Sequence, residues 1–317
     1  MSSSTQINYV IRPNKNVERK LIFKLLECIG LAFELNQYQY IGFGGLVFSD
    51  FIMAHKLLGI KSLYSMEMEG LARRAEFNRP YKCINVIGKK SSEALTELSI
   101  EKKKSIIWLD YDTGIQGPAM EDCNYIAERA QSGTCLFVTL NANPQSLDST
   151  DNKDDEILEK LYGIVESKLI PSELKPKDLS SKNYPSSLAK ITFTRIKSST
   201  ITSARNITFK PLFLFSYKDN AQMITVGGIF LNNEDAKVFD EKQIGGELDY
   251  ITGEQMFPIN IPPLTAKEKI HIDSLLPDEK LSLSKISKSL KFEMPQNHID
   301  AYKLFYQHYP VFGEVAI

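Results

Sequence analysis

Phe209-Lys210-Pro211-Leu212-Phe213-Leu214-Phe215-Ser216-Tyr217 is followed by Lys218-Asp219-Asn220 and then by Ala221-Gln222-Met223-Ile224-Thr225-Val226-Gly227-Gly228-Ile229-Phe230-Leu231. Two runs rich in aromatic and β-branched residues are joined by a short polar turn. Such runs read as strands, and so short a connection makes them an antiparallel hairpin.

What precedes the hairpin gives it meaning. Short apolar strands are expected at 39–42, 62–66, 83–87, 105–110 and 134–140, each set apart from the next by a helical pattern. A helix capped at Asn16 carries Leu21, Ile22, Leu25, Leu26, Ile29 and Phe33 at spacings of three and four. Further helices are expected from Ser49 or Asp50 to near Gly59, over 71–77, over 91–98 and over 119–130. Strands with no polar face, alternating with helices, form a parallel sheet covered on both sides. Right-handed crossovers make it an α/β, doubly wound, Rossmann-like sheet. Here that sheet ends in an antiparallel hairpin.

Residues 144–186 interrupt the rhythm with Pro144, Pro171, Pro176 and Pro185, and read as an insertion or lid containing a helix over 156–169. A helix over 188–200 leads into the hairpin. Beyond it, Gly245-Gly246 and Pro258, Pro262 and Pro263 suggest irregular chain, followed by helices over 265–276, 282–290 and 296–309. Thr265 and Glu268 have the spacing of a capping box. The expected division is a sheet domain, 1–232, and a mainly helical C-terminal appendage, 233–317.

The chain has 317 residues, 43% hydrophobic and 24% charged, with 38 basic and 39 acidic side chains and a net charge of −1. This composition excludes disordered, collagen-like and small disulfide-framework proteins. The charge balance offers no general attraction to polyanions, so a nucleic-acid partner is not expected. Met1-Ser2-Ser3-Ser4-Thr5-Gln6 lacks the layout of a secretion signal, and no run approaches the ~20 apolar residues of a membrane span. Cys28, Cys83, Cys123 and Cys135 are scattered and read as free thiols of a cytoplasmic protein.

Open α/β sheets bind ligands at the carboxyl ends of their strands. Five features fall there. Gly42-Phe43-Gly44-Gly45 follows strand one, where glycines permit a tight turn and close approach of a ligand. Glu67 ends strand two, where a carboxylate can accept both hydroxyls of a ribose; Glu69 is a substitute. Gly88 with Lys89 and Lys90 follows strand three. Asp110, Tyr111 and Asp112 end strand four and could position an ammonium group or act as bases. Asn141-Ala142-Asn143-Pro144 follows strand five. His55, His271, His298 and His308 have no zinc spacing, and no P-loop or Gly-x-Ser-x-Gly sequence is present. Tyr302, Phe305, Tyr306 and Tyr309 form an aromatic helix face suited to core or interface packing.

With the glycine turn, the strand-two acid, the strand-four acid and the hairpin in place, residues 16–232 resemble the class I S-adenosylmethionine-dependent methyltransferases. The chain is similar in particular to bacterial proteins described as O-methyltransferases. The resemblance implies S-adenosylmethionine as cofactor, bound by Gly42, Phe43, Gly44, Gly45, Glu67, Gly88, Lys89 and Asp110, with Asp110 and Asp112 as catalytic candidates. It implies Tyr40 as a departure, because the family usually carries an acid two places before the first glycine. A subset of that family holds Mg²⁺ with acids after strand four and an Asp-Asn pair after strand five; Asp110, Asp112 and Asn141 match it in part, and no metal site is assigned.

The resulting expectation is methyl transfer to an oxygen of a small-molecule or protein acceptor. The insertion and the C-terminal helices are expected to form the acceptor pocket, and a homodimer is compatible with the aromatic helix. The competing readings are a methyltransferase-like scaffold that acts as an interaction module, and a Rossmann-type dehydrogenase. Val47 at the third glycine of G-x-G-x-x-G, and the hairpin, weigh against the dehydrogenase.

Overall fold

The computed structural model describes residues 12–147, 154–278 and 282–310. The reading of Met1–Gln6, and those parts of the insertion and C-terminal segment at 148–153, 279–281 and 311–317, lie outside the described residues.

The order is α1 (Pro13–Ile29), β1 (Gln39–Gly42), α2 (Ser49–Leu58), β2 (Ser62–Met66), α3 (Glu69–Asn78), β3 (Ile84–Ile87), α4 (Ser91–Glu97), β4 (Ser105–Asp110), α5 (Ala119–Arg129) and β5 (Cys135–Asn141). Then follow α6 (Asp154–Ile164), α7 (Tyr184–Thr202), β6 (Thr208–Lys218), β7 (Gln222–Leu231), α8 (Asn233–Glu241), β8 (Met256–Ile259), α9 (Ala266–Asp273), α10 (Leu283–Leu290) and α11 (Gln296–Phe305). One sheet takes all these strands in the order β3-β2-β1-β4-β5-β7-β6-β8. β1 to β5 are parallel, and β7 runs antiparallel to both β5 and β6.

Alternation along each strand sends side chains to two separate cores. Ile41, Ile107, Leu109, Leu136 and Val138 face α4, α5 and α7. Tyr40, Ile106, Trp108 and Phe137 face α1 and α2. In the hairpin, β6 carries a bulge between Pro211 and Phe213, a position where a proline needs no ladder hydrogen bond. Gly227 lies beneath Phe213: a Cβ there would stand 2.2 Å from the ring.

Two expectations change. The stretch read as irregular around Pro258 contains β8, which pairs with β6 in parallel and widens the sheet. A short strand holding a proline at a sheet edge leaves almost no periodic signal. α8, capped by Asn232, was also not expected. The capping box at Thr265 and Glu268 is present, and α9 to α11 share a small core of Ile272, Ile286, Met294, Ile299 and Tyr302.

α1 begins at Pro13, three residues ahead of the Asn16 cap read from sequence. Its cap is not local. The Asp219 carboxylate, in the β6–β7 turn, accepts the Asn14 and Lys15 backbone N–H groups at 3.1 and 3.0 Å. Asn14 returns an amide bond to the Lys218 carbonyl and accepts the Ile261 N–H at 2.8 Å. A carboxylate at a helix N-terminus satisfies orphan donors and complements the helix dipole. The start of α1 is thereby fixed at the carboxyl edge of the sheet. The insertion packs Ile157, Leu161, Leu169 and Leu179 into the α5–α7 core.

Candidate active site

A cavity of about 650 Å³ opens at the carboxyl ends of β1, β2 and β4. Phe43, Gly44, Gly45, Glu67, Lys89, Asp110 and Asp112, all expected site residues, line it. Gly42 and Gly88 stand behind the wall. A Cβ at Gly42 would meet the Trp108 carbonyl at 2.9 Å, and one at Gly88 would meet Ala72 at 2.9 Å. No described residue of the insertion or of 233–317 belongs to the lining, which runs from Arg19 to Pro118.

The glycine turn is held from below by β2. Ser65 Oγ accepts the Gly44 N–H at 2.9 Å, and Glu67 Oε1 accepts the Gly45 N–H at 2.8 Å. Ser65 Oγ in turn donates to Glu67 Oε1 at 2.7 Å. These two backbone donors are thus engaged by the protein, and the glycines contribute shape to the site. Gly45 takes φ +57°, a left-handed conformation suited to glycine. A Cβ on Gly44 would lie 2.4 Å from the Phe48 ring, so the turn and this ring fit together only without a side chain. Phe48 itself is buried at φ +53°, an unusual conformation for a bulky residue and one that marks strain beside the site.

Glu67 is 4% exposed. Burial raises its carboxyl above the ordinary range, and the Ser65 and glycine donors pull it partly back. Its Oε1 is taken up by the turn and Ser65, and the residue lines the cavity.

Position 40 has no acid, yet the cavity has one beside it. Tyr40 OH donates to Asp50 Oδ2 at 2.6 Å, and Asp50, in the first turn of α2, lines the cavity. Burial raises the Asp50 carboxyl, against the pull of the Arg19 guanidinium and the Tyr40 hydroxyl. Arg19, from α1, is also in the lining and 5% exposed.

Asp110 is paired from beneath. Lys15 Nζ lies 2.6 Å from Asp110 Oδ1 and 2.8 Å from Glu18 Oε2, and 4.8 Å from the centre of the Trp108 ring. Burial alone would lower the Lys15 ammonium, but the two carboxylates outweigh it and raise its pKa. Glu18 accepts from Thr225 Oγ1, which shares a 2.8 Å hydrogen bond with Thr139; Thr139 accepts from Trp108 Nε1 at 3.0 Å. A buried polar circuit therefore joins two cavity-lining residues, Asp110 and Trp108, through α1 and the sheet. Such networks are stable only when every member is satisfied.

Asp112 is exposed at the rim. Lys89 lines the cavity, and its Nζ pairs with Glu97. Asn141 donates to the Asp112 carbonyl at 3.5 Å and accepts the Asn143 N–H at 3.0 Å, which organises the turn after β5. Among the described residues, no group of three or more His, Cys, Asp or Glu could hold a metal ion. No described helix is long and apolar enough to cross a membrane.

Sequence reading missed Lys15, Glu18, Arg19, Asp50 and Ser65. One signal was present. Lys15 and Glu18 continue the spacing of Ile22, Leu25 and Ile29, so charged residues occupy the buried stripe of α1.

A family model described as "Putative O-methyltransferase" matches residues 7–317, and the chain belongs to that family. No curated protein matches it in sequence. Among solved structures, it is similar to an O-methyltransferase from Bacillus cereus in complex with SAH, at 13% identity over 66% of this chain and 79% of the other, with a TM-score of 0.35. The plantazolicin methyltransferase BpumL in complex with SAH matches at 10% identity over 68% of this chain and 84% of the other, with a TM-score of 0.39. A LepI variant in complex with SAH and a substrate analogue matches at 9% identity and a TM-score of 0.34; the match covers 61% of this chain and 43%, less than half, of LepI.

Proposed function

We propose that the cavity binds S-adenosylmethionine and that the chain transfers its methyl group to an oxygen of a small-molecule or protein acceptor. The observation that carries this reading is Glu67: a buried carboxylate at the end of β2, with one oxygen fixed to the glycine turn, in the lining of a cavity of about 650 Å³. Cavities of this size accommodate a ligand of nucleoside dimensions. Side chains do not fill it, which favours a binding enzyme over an inert scaffold.

The residues present suit the cofactor's chemistry. Glu67 accepts the ribose hydroxyls. Asp50 and Asp110 attract an ammonium group, and Arg19 attracts a carboxylate, so the amino-acid end lies toward α1 and the glycine turn. Asp50, oriented by Tyr40, stands in space for the acid lacking at position 40. Bound there, S-adenosylmethionine supplies an electrophilic methyl group for in-line displacement.

The protein's contribution is chiefly alignment and exclusion of water. Asp110, held by Lys15, serves as a fixed negative charge; Asp112, exposed at the rim, is the carboxylate placed to take a proton from an acceptor that needs one. We place the enzyme in the cytoplasm, with Cys123 and Cys135 as buried thiols. A homodimer is part of this proposal; the segment after 232 contributes β8 to the sheet and is not set apart from it as a separate appendage.

Isothermal titration with S-adenosylmethionine and S-adenosylhomocysteine tests the reading. Binding by the natural chain, weakened on the order of 10-fold or more in Glu67→Ala, is expected from the loss of charged hydrogen bonds. Absence of binding, or an unchanged affinity in Glu67→Ala, overturns it.

A further inference from the structure

α9, α10 and α11 share a small core, and no described residue of theirs lines the cavity. Ile272 of α9, Ile286 of α10, and Ile299 and Tyr302 of α11 meet there, with Met294 from the connection between α10 and α11. Tyr302 OH donates to Asp273 Oδ1 at 2.5 Å, and His271 Nε2 shares a 2.9 Å hydrogen bond with Ser289 Oγ, so both later helices are tied to α9. Lys291 ends α10 in the left-handed conformation, at φ +64°, and Pro295 leads into α11. A short helix, a turn carrying one buried apolar residue and a second helix, both packed on a third, have the order of a helix–turn–helix. The turn, 291–295, is one residue longer than the usual three or four.

α10 is two-faced. Ile286 is buried in the small core, whereas Lys285 and Lys288, three apart on the other face, are exposed. Lys291, at the turn, is exposed as well. No acidic residue occurs from Ser282 to Phe292, and among the described residues these three lysines form no ion pair. α11 then opens with Gln296 and Asn297, both exposed. Lys291 and Gln296 can be no more than about 18 Å apart along the chain. The lysines and the amides therefore share one corner of the three-helix unit. The net charge of −1 for the whole chain hides this local excess.

We propose that α10 and α11 form a docking surface for duplex DNA, with the α10 lysines on phosphates and the first turn of α11 in the major groove. In helix–turn–helix docking the earlier helix crosses the backbone and the N-terminal residues of the later one meet base edges. Lysines suit the first role, because phosphate contacts fix register through charge alone. Asn297 suits the second, since an amide side chain pairs with adenine at N6 and N7. A lipid surface would need an exposed apolar face on α10, and Ile286 is buried instead. Glu293 and Asp300, exposed close by in sequence, limit the contact to a weak and salt-sensitive one. The proposal does not depend on the cofactor reading, since the surface lies outside the cavity.

The test is fluorescence anisotropy of the full chain with a labelled mixed-sequence duplex of about 20 base pairs, from about 50 to about 200 mM salt. The natural chain is expected to bind, and to lose on the order of 40-fold in affinity over that range, the loss for three neutralised phosphates. Lys285→Gln, Lys288→Gln and Lys291→Asn combined should abolish most of the binding and flatten the salt dependence; asparagine is chosen at 291 because it tolerates a left-handed backbone. Arginine at the same three positions should keep both. Absence of binding at the lowest salt overturns the proposal, as does an affinity that salt does not change or that the Gln/Asn variant retains. Tighter binding to single-stranded RNA of the same length, or to vesicles of anionic phospholipid, assigns the surface to another partner and overturns it too.

Discussion

Lys15 Nζ lies 2.6 Å from Asp110 Oδ1 across 95 residues of sequence, and the lysine side chain is 3% exposed. α1 thus brings a buried cation under the strand-four acid, whose own side chain remains 21% exposed to the cavity. Removing one partner of a buried pair leaves the other charge uncompensated. Lys15→Met should lower the free energy of unfolding by about 3–5 kcal/mol, because it leaves the fully buried Glu18 as well as the partly exposed Asp110 without their cation. Asp110→Asn in the same chain should restore part of the loss. Urea denaturation of the two single variants and the double variant measures the coupling directly.

The glycine turn gives a steric prediction. Gly44→Ala forces a Cβ against the Phe48 ring and Ser65 Oγ, and should destabilise the fold by about 1–3 kcal/mol while weakening cofactor binding. Gly70→Ala, at a position with no atom within 4 Å of the new Cβ, should melt within a few degrees of the natural protein. Thermal melts of both variants separate a turn-specific effect from the general cost of an added methyl.

The acid at position 50 can be tested through its partner. Tyr40→Phe removes the hydroxyl that orients Asp50, and should weaken S-adenosylhomocysteine severalfold while leaving 5′-methylthioadenosine, which lacks the amino-acid end, nearly unchanged. Asp50→Asn should give the same pattern with a larger loss. Titration with the two compounds reads the difference.

Glu18 makes a pH prediction. Burial raises its carboxyl in the folded state above the ordinary value of 4.5, despite Lys15. A carboxyl that holds its proton more tightly when folded contributes stability at low pH and loses it as pH rises through the folded pKa. Glu18→Gln cannot ionise and escapes that loss. The melting temperature of Glu18→Gln relative to the natural protein should therefore rise from pH 4.5 to pH 7; a difference that stays constant contradicts the assignment.

The sheet was legible in the sequence because buried parallel strands are short apolar runs with sharp ends, as at Ser105–Asp110. The hairpin was legible for the same reason, with a polar turn between its strands. β8 was not, since its proline and short length mask any period. The site was legible where chemistry sits at a strand end, as at Glu67 and Asp110. It was not legible where a side chain reaches the site from a helix far away in sequence. Lys15 and Arg19 belong to a helix whose pattern describes packing, and only the fold brings Arg19 into the cavity wall and Lys15 beneath Asp110. Tyr40 is the clearest case: its position reads as a missing acid, whereas its hydroxyl holds the acid of Asp50 in place.

The central claim is that Glu67 receives the ribose of a bound adenosyl cofactor. A crystal structure of the protein with S-adenosylhomocysteine tests it most directly. The account predicts the ribose hydroxyls within hydrogen-bonding distance of the Glu67 oxygen that the glycine turn leaves available, with the amino-acid end toward Asp50 and Arg19. Nucleoside density elsewhere, or a ribose that makes no contact with Glu67, would contradict it.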